Sequence, residues 1–352
     1  MRILMLKRRL IYSGACKMFI WVAKVLANQG HDVTVLTYKK NNVAELPGNI
    51  KWIQKDINSK ALLKKIREVK RIVNDTRVDV CVSFLLDANI INTLACVNTR
   101  TKSIICERND PFKPHYYKLK LIKSIFKLSD GGVFQLPKVA DYYSMIKGPT
   151  AVIPNPVIQP KLSSPMKRFE KRDNIVVSLG RLDVFQKRQD VLIKSFAKFS
   201  KDHPDYLLKL FGGGPDKNQL KKLAKEEGVS EKVIFAGVTH NSITELCNSK
   251  FFVLSSDFEG IPNALIEAMS VGLPCISTKC SPGGAELLIE DGVNGLLVDT
   301  GDVNGIYNAM KKLTDSNYSD YLGDNARKIC SNFSESKITA LWCDYISQFQ
   351  TN

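Results

Sequence analysis

The stretch Phe251-Phe252-Val253-Leu254-Ser255-Ser256-Asp257-Phe258-Glu259-Gly260-Ile261-Pro262-Asn263-Ala264-Leu265-Ile266-Glu267-Ala268-Met269 decides how the chain is read. Its first four residues form an apolar run too short for a buried helix and suited to a strand covered on both faces. A polar, acidic loop follows. Pro262 suits the first position of a helix that Gly272 would end about two and a half turns later. Strand, loop and helix in that order belong to an open parallel sheet, which takes ligands at the carboxyl ends of its strands. The free N–H groups at the start of the helix, near Asn263, Ala264 and Leu265, suit an anion, and a diphosphate fits there.

Outward from this stretch the same alternation repeats. Strands are expected at 2–6, 32–37, 80–84, 103–106, 131–135 and 151–154, then at 174–179, 206–211, 232–236, 251–255, 274–277 and 295–298. Helical periodicity lies between them, as at 19–29, 191–202, 217–227 and 306–313. The pattern predicts an α/β chain of two Rossmann-like domains facing each other across a cleft. A proline- and lysine-rich stretch separates them. The expected division is a basic first domain at 1–157, a linker at 158–173, a second domain at 174–330, and a C-terminal helix at 331–352 returning to the first domain.

The run from Phe258 to Pro274, with Glu259 and Glu267 eight residues apart, resembles the Glu-x7-Glu signature of retaining glycosyltransferases of family 4, which have the GT-B fold. Ser178-Leu179-Gly180-Arg181-Leu182 and Gln186-Lys187-Arg188 look like that family's Gly-Arg-Leu and Lys-Gly elements. Phe211-Gly212-Gly213-Gly214-Pro215, Phe235-Ala236-Gly237-Val238, Val152-Ile153-Pro154-Asn155-Pro156 and Pro282-Gly283-Gly284-Ala285-Glu286 follow the family's order. The resemblance covers the second half of the chain closely and the first half more loosely. It implies that Arg181 and Lys187 neutralise a donor diphosphate. Gly14, Gly180, Ile261, Pro262, Asn263, Ala264 and Leu265 would border the donor, with Val238 near the base. By the same resemblance Glu259 lies at the transferred sugar and Glu267 on the ribose. It further implies retention through front-face attack guided by the leaving phosphate, Glu259 as covalent nucleophile being the alternative. With the leaving charge met by Arg181, Lys187 and a helix N-terminus, no cofactor and no metal is expected.

The sequence departs from the family at three places. The family's glycine pair in the first strand–helix loop is Ser13-Gly14-Ala15, its Lys-Gly element is Lys187-Arg188, and its first-domain histidine is missing from Cys106-Glu107-Arg108-Asn109-Asp110-Pro111. The last loop resembles the polysaccharide-assembly branch of the family, and Arg108, Asn109 and Asp110 are the acceptor-side candidates.

Charge supplies the remaining clue. Net charge is +16, and residues 1–160 hold 27 Lys and Arg against 11 Asp and Glu, while 161–352 hold 24 of each. So the first domain faces an anionic partner. Two basic amphipathic segments lie in it. In 60–71, Leu62, Ile66 and Val69 fall at helical spacing among lysines and arginines. In 113–127, Leu119, Ile122 and Phe126 share a face, with Tyr116, Tyr117, Lys120, Lys123 and Lys127 as candidate membrane contacts. A surface helix packed on a sheet is the preferred reading of the first segment and accounts for the second equally well. The expected partners are a nucleotide-sugar donor (UDP on family base rates), a polyprenyl-diphosphate-linked saccharide acceptor and the inner face of a plasma membrane. No apolar run reaches 18 residues, and the N-terminus reads as a first strand rather than a signal peptide. Nine scattered cysteines without Cys-x-x-Cys fit reduced thiols in a cytosol. Nucleic acid is not expected, since neither stacking aromatics nor a recognition helix is evident. A nucleotide-sugar epimerase and a non-enzymatic anionic-surface binder are the rival classes.

Overall fold

The computed structural model describes residues 1–11, 13–40, 43–57, 61–112, 119–158, 167–239 and 241–350. Two compact units emerge: Met1–Asn155 together with Ser336–Asn352, and Pro156–Glu335.

In the first unit β1 (Arg2–Lys7), α1 (Gly14–Asn28), β2 (Asp32–Thr37), β3 (Lys51–Gln54), α2 (Leu62–Asp75), β4 (Val80–Phe84), α3 (Leu86–Cys96), β5 (Lys102–Cys106), α4 (Leu119–Phe126), β6 (Gly131–Phe134), α5 (Pro137–Tyr142) and β7 (Thr150–Val152) alternate. The strands pair in parallel in the order β3-β2-β1-β4-β5-β6-β7. β1 and β4 are buried along both faces because helices cover the sheet on each side. β3 was not expected. It is an edge strand with only Trp52 and Ile53 apolar, and the Trp52 indole donates to Thr37 Oγ1 at 3.1 Å.

The second unit repeats the plan with β8 (Asp173–Leu179), α6 (Gln189–Asp202), β9 (Leu207–Phe211), α7 (Lys217–Glu226), β10 (Val233–Gly237), α8 (Ser242–Asn248), β11 (Ser249–Leu254), α9 (Asn263–Ser270), β12 (Cys275–Thr278), β13 (Leu296–Val298), α10 (Val303–Lys312), α11 (Ser316–Ala326) and α12 (Ile329–Asn332). Its parallel sheet runs β10-β9-β8-β11-β12-β13. The described part of the expected linker is not free chain. Phe169 is buried, its carbonyl accepts from Lys250 Nζ at 2.7 Å, and Arg172 Nε donates to the Lys167 carbonyl at 2.8 Å. An aromatic and a buried guanidinium thus anchor 167–173 to the second unit.

The final helix, α13 (Glu335–Ser347), belongs from Ser336 onward to the first unit. Its Ile338, Trp342, Tyr345 and Ile346 join the core built on β1, β4 and β5. The Trp342 ring stacks on Phe84 with centroids 6.4 Å apart, and the Tyr345 hydroxyl donates to the Pro149 carbonyl at 2.9 Å.

Among the described residues no helix is long and apolar enough to cross a membrane. In α4, Ile122 and Phe126 are buried, so its apolar face packs inward. The Lys123 ammonium lies 3.9 Å from the Tyr142 ring centroid, and Lys127 is exposed. Tyr116, Tyr117 and the Lys120 side chain fall outside the described residues. α2 likewise turns Val69, Ile72 and Val73 inward, but leaves Leu62 and Leu63 in solvent.

Candidate functional site

Five strands of the second unit end side by side, and the loops that leave them carry most of the residues singled out above. After β8, Gly180 hands the chain to a tight loop organised by Asp183. Its Oδ1 accepts from the amides of Phe185 and Gln186 at 3.0 and 3.1 Å. The Gln189 side chain clamps the same loop, accepting from Asp183 N at 3.2 Å and donating to the Arg181 carbonyl at 2.8 Å. After β9, Gly212 takes φ +137°, and a Cβ there would lie 1.8 Å from the Gly180 carbonyl oxygen. Only glycine permits that approach of the two loops.

The β11–α9 loop is stitched to the β8–α6 loop. Asp257 N donates to the Gln186 carbonyl at 2.9 Å, Gln186 Nε2 to the Phe258 carbonyl at 3.1 Å, and Ser255 Oγ to the Lys187 carbonyl at 2.9 Å. Across this seam Lys187 Nζ and the Glu259 carboxylate form an ion pair. Glu259 Oε1 also accepts from Ser256 Oγ at 2.8 Å, and its backbone N–H donates to Ser281 O at 2.8 Å. The side chains of Lys187 and Glu259 are 18% and 11% exposed, so water screens the pair weakly. The Lys187 stem lies against Gly180, where a Cβ would come within 3.4 Å of Lys187 Cε.

Arg188 replaces the family's glycine at φ +50°, ψ +40°, the left-handed region that costs an ordinary residue about 1–2 kcal/mol. Two carboxylates hold it there. Its guanidinium meets Asp257 at 2.9 Å and Asp190 at 3.1 Å, which raises its pKa. The strain and the ion pairs explain how a non-glycine residue is tolerated at this position.

The helix after Glu259 starts one residue later than expected. Pro262, with ψ +106°, is the cap and not the first helical residue. Leu265 donates its N–H to the Pro262 carbonyl at 3.1 Å and buries its side chain, so the first turn consumes a donor that the sequence assigned to an anion. Ala264 and Asn263 are half-buried at the open end, and Ile261 is buried beneath them. Glu267, one turn inside α9, accepts from Ser242 Oγ at 2.8 Å. Gly284 seats the adjoining loop, since a Cβ there would fall 1.7 Å from Gly260 O. Arg181 is mostly exposed and paired with Asp183, and Val238 stands in solvent beyond β10. Sequence reasoning placed Lys187 and Glu259 separately and missed Ser256, Gln186 and Asp257. The polar run Ser255-Ser256-Asp257 after a buried strand was the available signal.

These features have counterparts among known proteins. Residues 162–329 match the family described as glycosyl transferases group 1. The match falls within the second unit and covers just under half of the chain. A glycosyltransferase of Haemophilus influenzae is 28% identical over 94% of this chain and 95% of its own length. A Campylobacter jejuni alpha-1,4-N-acetyl-D-galactosaminyltransferase, named for a diNAcBac-PP-undecaprenol-linked acceptor, is 28% identical over 81% of this chain and 79% of its own. The match to a Methanocaldococcus jannaschii glycosyltransferase spans 62% of that protein, at 29% identity over 64% of this chain. Among solved structures, Anabaena HepE with UDP-glucose has a TM-score of 0.82 at 17% identity over 99% of each chain, a likeness of fold. Both parallel-sheet units thus have the GT-B architecture, and the Lys187–Glu259 pair lies within the matched glycosyltransferase domain.

In the first unit Gly14 opens α1 behind the cap Ser13, whose hydroxyl accepts from Cys16 N at 3.3 Å. Of the acceptor-side candidates, Arg108 is buried, donating to Ile153 O at 3.4 Å and Asn155 Oδ1 at 3.3 Å, with its guanidinium 5.0 Å from the Phe84 ring centroid. Asp110 is buried and accepts from Phe112 N at 2.8 Å. Asn109 is exposed and lines a pocket. Between β5 and these residues, Glu107 is buried, and loss of water pushes its carboxyl up to about 7.

Proposed function

We propose that the chain is a retaining, family 4-type hexosyltransferase. It moves a hexose or N-acetylhexosamine from a nucleotide diphosphate sugar, UDP in the first instance, to a polyprenyl-diphosphate-linked saccharide in cell-surface polysaccharide assembly. The observation that carries the reading is the Lys187–Glu259 pair, held across the loop seam beside the N-terminus of α9. The named acceptor of the Campylobacter jejuni relative and the UDP-glucose complex of Anabaena HepE supply the substrate classes.

In this mechanism the donor diphosphate draws Lys187 and the exposed end of Arg181 onto its oxygens, with the Ala264 end of α9 behind them. Lys187 thereby leaves Glu259, whose carboxylate, still held by Ser256, takes hydroxyls of the transferred sugar. The anomeric carbon–phosphate oxygen bond breaks and a bond to the acceptor hydroxyl oxygen forms on the same face. The hydroxyl proton passes to the leaving diphosphate. Glu267 holds ribose hydroxyls. The cations of the chain supply the charge stabilisation, and no metal is needed. The basic first unit holds the protein at the inner face of the plasma membrane.

The test is a panel of nucleotide sugars with detergent-solubilised polyprenyl-diphosphate saccharides, followed by nucleoside diphosphate release in EDTA. Acceptor-dependent release from one donor, an α-configured product from an α-configured donor, and loss in Glu259→Gln support the proposal. Conversion of the donor sugar without acceptor places the chain among epimerases instead. Co-sedimentation with anionic but not neutral vesicles, abolished by high salt, checks the membrane step.

A further inference from the structure

The first unit holds a pocket of about 440 Å³ at the carboxyl ends of β1 and β4. Its wall combines apolar surface from Ile11, Phe84 and Ile90 with the cations Lys7, Arg8 and Arg9. Ser13 lines it too, so α1 presents its N-terminus, a fifteen-residue helix with no acidic residue in its first turn. Asp87 is the one carboxylate on the wall. It lies 3.9 Å from Arg8 and accepts from Ala88 N at 3.0 Å.

Lys7 is the decisive residue. It ends β1, it is 4% exposed, and its Nζ has no hydrogen-bond partner among the described residues. The rings of Phe19 and Phe84 flank it, with centroids 5.4 and 5.9 Å away, and Cys16, Asp87, Arg108 and Cys106 act on it through space. A lysine on a protein surface extends its head into water. This one lines the pocket and buries its ammonium in the wall, where the loss of water draws its pKa down. A buried ammonium without a counter-ion is costly and invites an anion. Asp87 reaches it only through space, without a hydrogen bond, and also lies against Arg8 and its own helix start.

We propose that this pocket binds an anionic oxygen group of the acceptor, a sugar carboxylate or a phosphate, with the Lys7 ammonium as its counter-ion. Arg8, Arg9 and the amino end of α1 add positive potential, and the apolar wall takes the face of the adjoining sugar ring. That the anion belongs to the acceptor rests on the transferase reading above; the anion site itself does not.

The experiment is calorimetric titration of the full chain, without any donor, using sodium pyrophosphate, sodium glucuronate and neutral glucose. Wild type and Lys187→Met are expected to bind at least one of the two anions. Lys7→Met is expected to bind it at least tenfold more weakly while melting at a higher temperature, because an unpaired buried charge has gone. Arg9→Gln, an exposed substitution that leaves the core intact, is expected to weaken binding several-fold. Preference for pyrophosphate names the diphosphate linkage as the source, and preference for glucuronate names an acidic sugar. Equal binding by wild type and Lys7→Met, loss in Lys187→Met alone, or no binding of either anion by wild type overturns the proposal. Because no turnover is measured, failure here leaves the transferase reading standing, and a transferase without this site remains distinguishable.

Discussion

The two units share one architecture and treat charge in opposite ways. At the strand ends of the second unit nearly every ionised side chain has a partner: Lys187 with Glu259, Arg181 with Asp183, and Arg188 with Asp190 and Asp257. At the strand ends of the first unit, Lys7 Nζ is buried with no hydrogen-bond partner among the described residues. Glu107, Arg108 and Asp110 are each bonded through one end and leave Oε2, Nε and Oδ2 bare, as Asp257 leaves Oδ1 in the second unit. A paired site is already in shape before substrate arrives, and a ligand enters it by exchanging partners. A site with single buried charges stores unfavourable desolvation, which a ligand of opposite sign relieves. One sheet design therefore carries both a paired set of charges and a buried lysine without a hydrogen-bond partner.

The largest effect expected from breaking the pairing is on turnover. Lys187→Met and Glu259→Gln should each lower kcat by about 10²–10³, the scale of a lost electrostatic group at a reacting centre. The double variant should lose little more than either single one, because the two residues act as a unit. Additive losses in steady-state assays would mean that they serve separate steps.

Glu107 sharpens the other side of the comparison. Its folded pKa of about 7 lies above the ordinary carboxyl value of 4.5, so the fold favours the proton. That contribution is fully present below pH 4.5 and is lost as pH rises toward 7, by about 3 kcal/mol at most. Urea unfolding should find Glu107→Gln more stable than wild type at pH 8 and nearly equal at pH 4.5. A pH-independent difference would show that Oε2 has found a partner.

Arg188 tests whether pairing outweighs strain. Arg188→Ala keeps the left-handed backbone and loses both carboxylates, whereas Arg188→Gly loses the carboxylates and removes the strain. The glycine variant should be more stable by about 1 kcal/mol. The smallest effect belongs to Ser256→Ala, which deletes one hydrogen bond to Glu259 and should cost about 1 kcal/mol in kcat/KM.

Much of this was legible in the sequence because buried parallel strands are short, apolar and bounded by turns. All twelve expected strands occur within a few residues of their expected limits. β3 escaped because two apolar residues at a sheet edge leave no pattern. The cap of α9 was misplaced by one residue, since proline is compatible with both the cap and the first turn. At the site, residue types were legible and pairings were not. Lys187 and Glu259 lie 72 residues apart in sequence, and only the fold joins them. Arg108 reads as a charged loop residue, and nothing in its neighbours announces that Phe84 and Trp342 enclose it. Lys7-Arg8-Arg9 follows the strand expected at 2–6, and a lysine closing so apolar a run was the available signal.

The position of α13 has a consequence for synthesis. The second unit is one continuous stretch, so all of it has been translated before Ser336 leaves the ribosome. The first unit is not: Trp342, which stacks on Phe84 beneath Arg108, arrives last. A nascent chain can finish the younger-numbered sheet's partner before that sheet has its own lid, so the part made first is the part completed last.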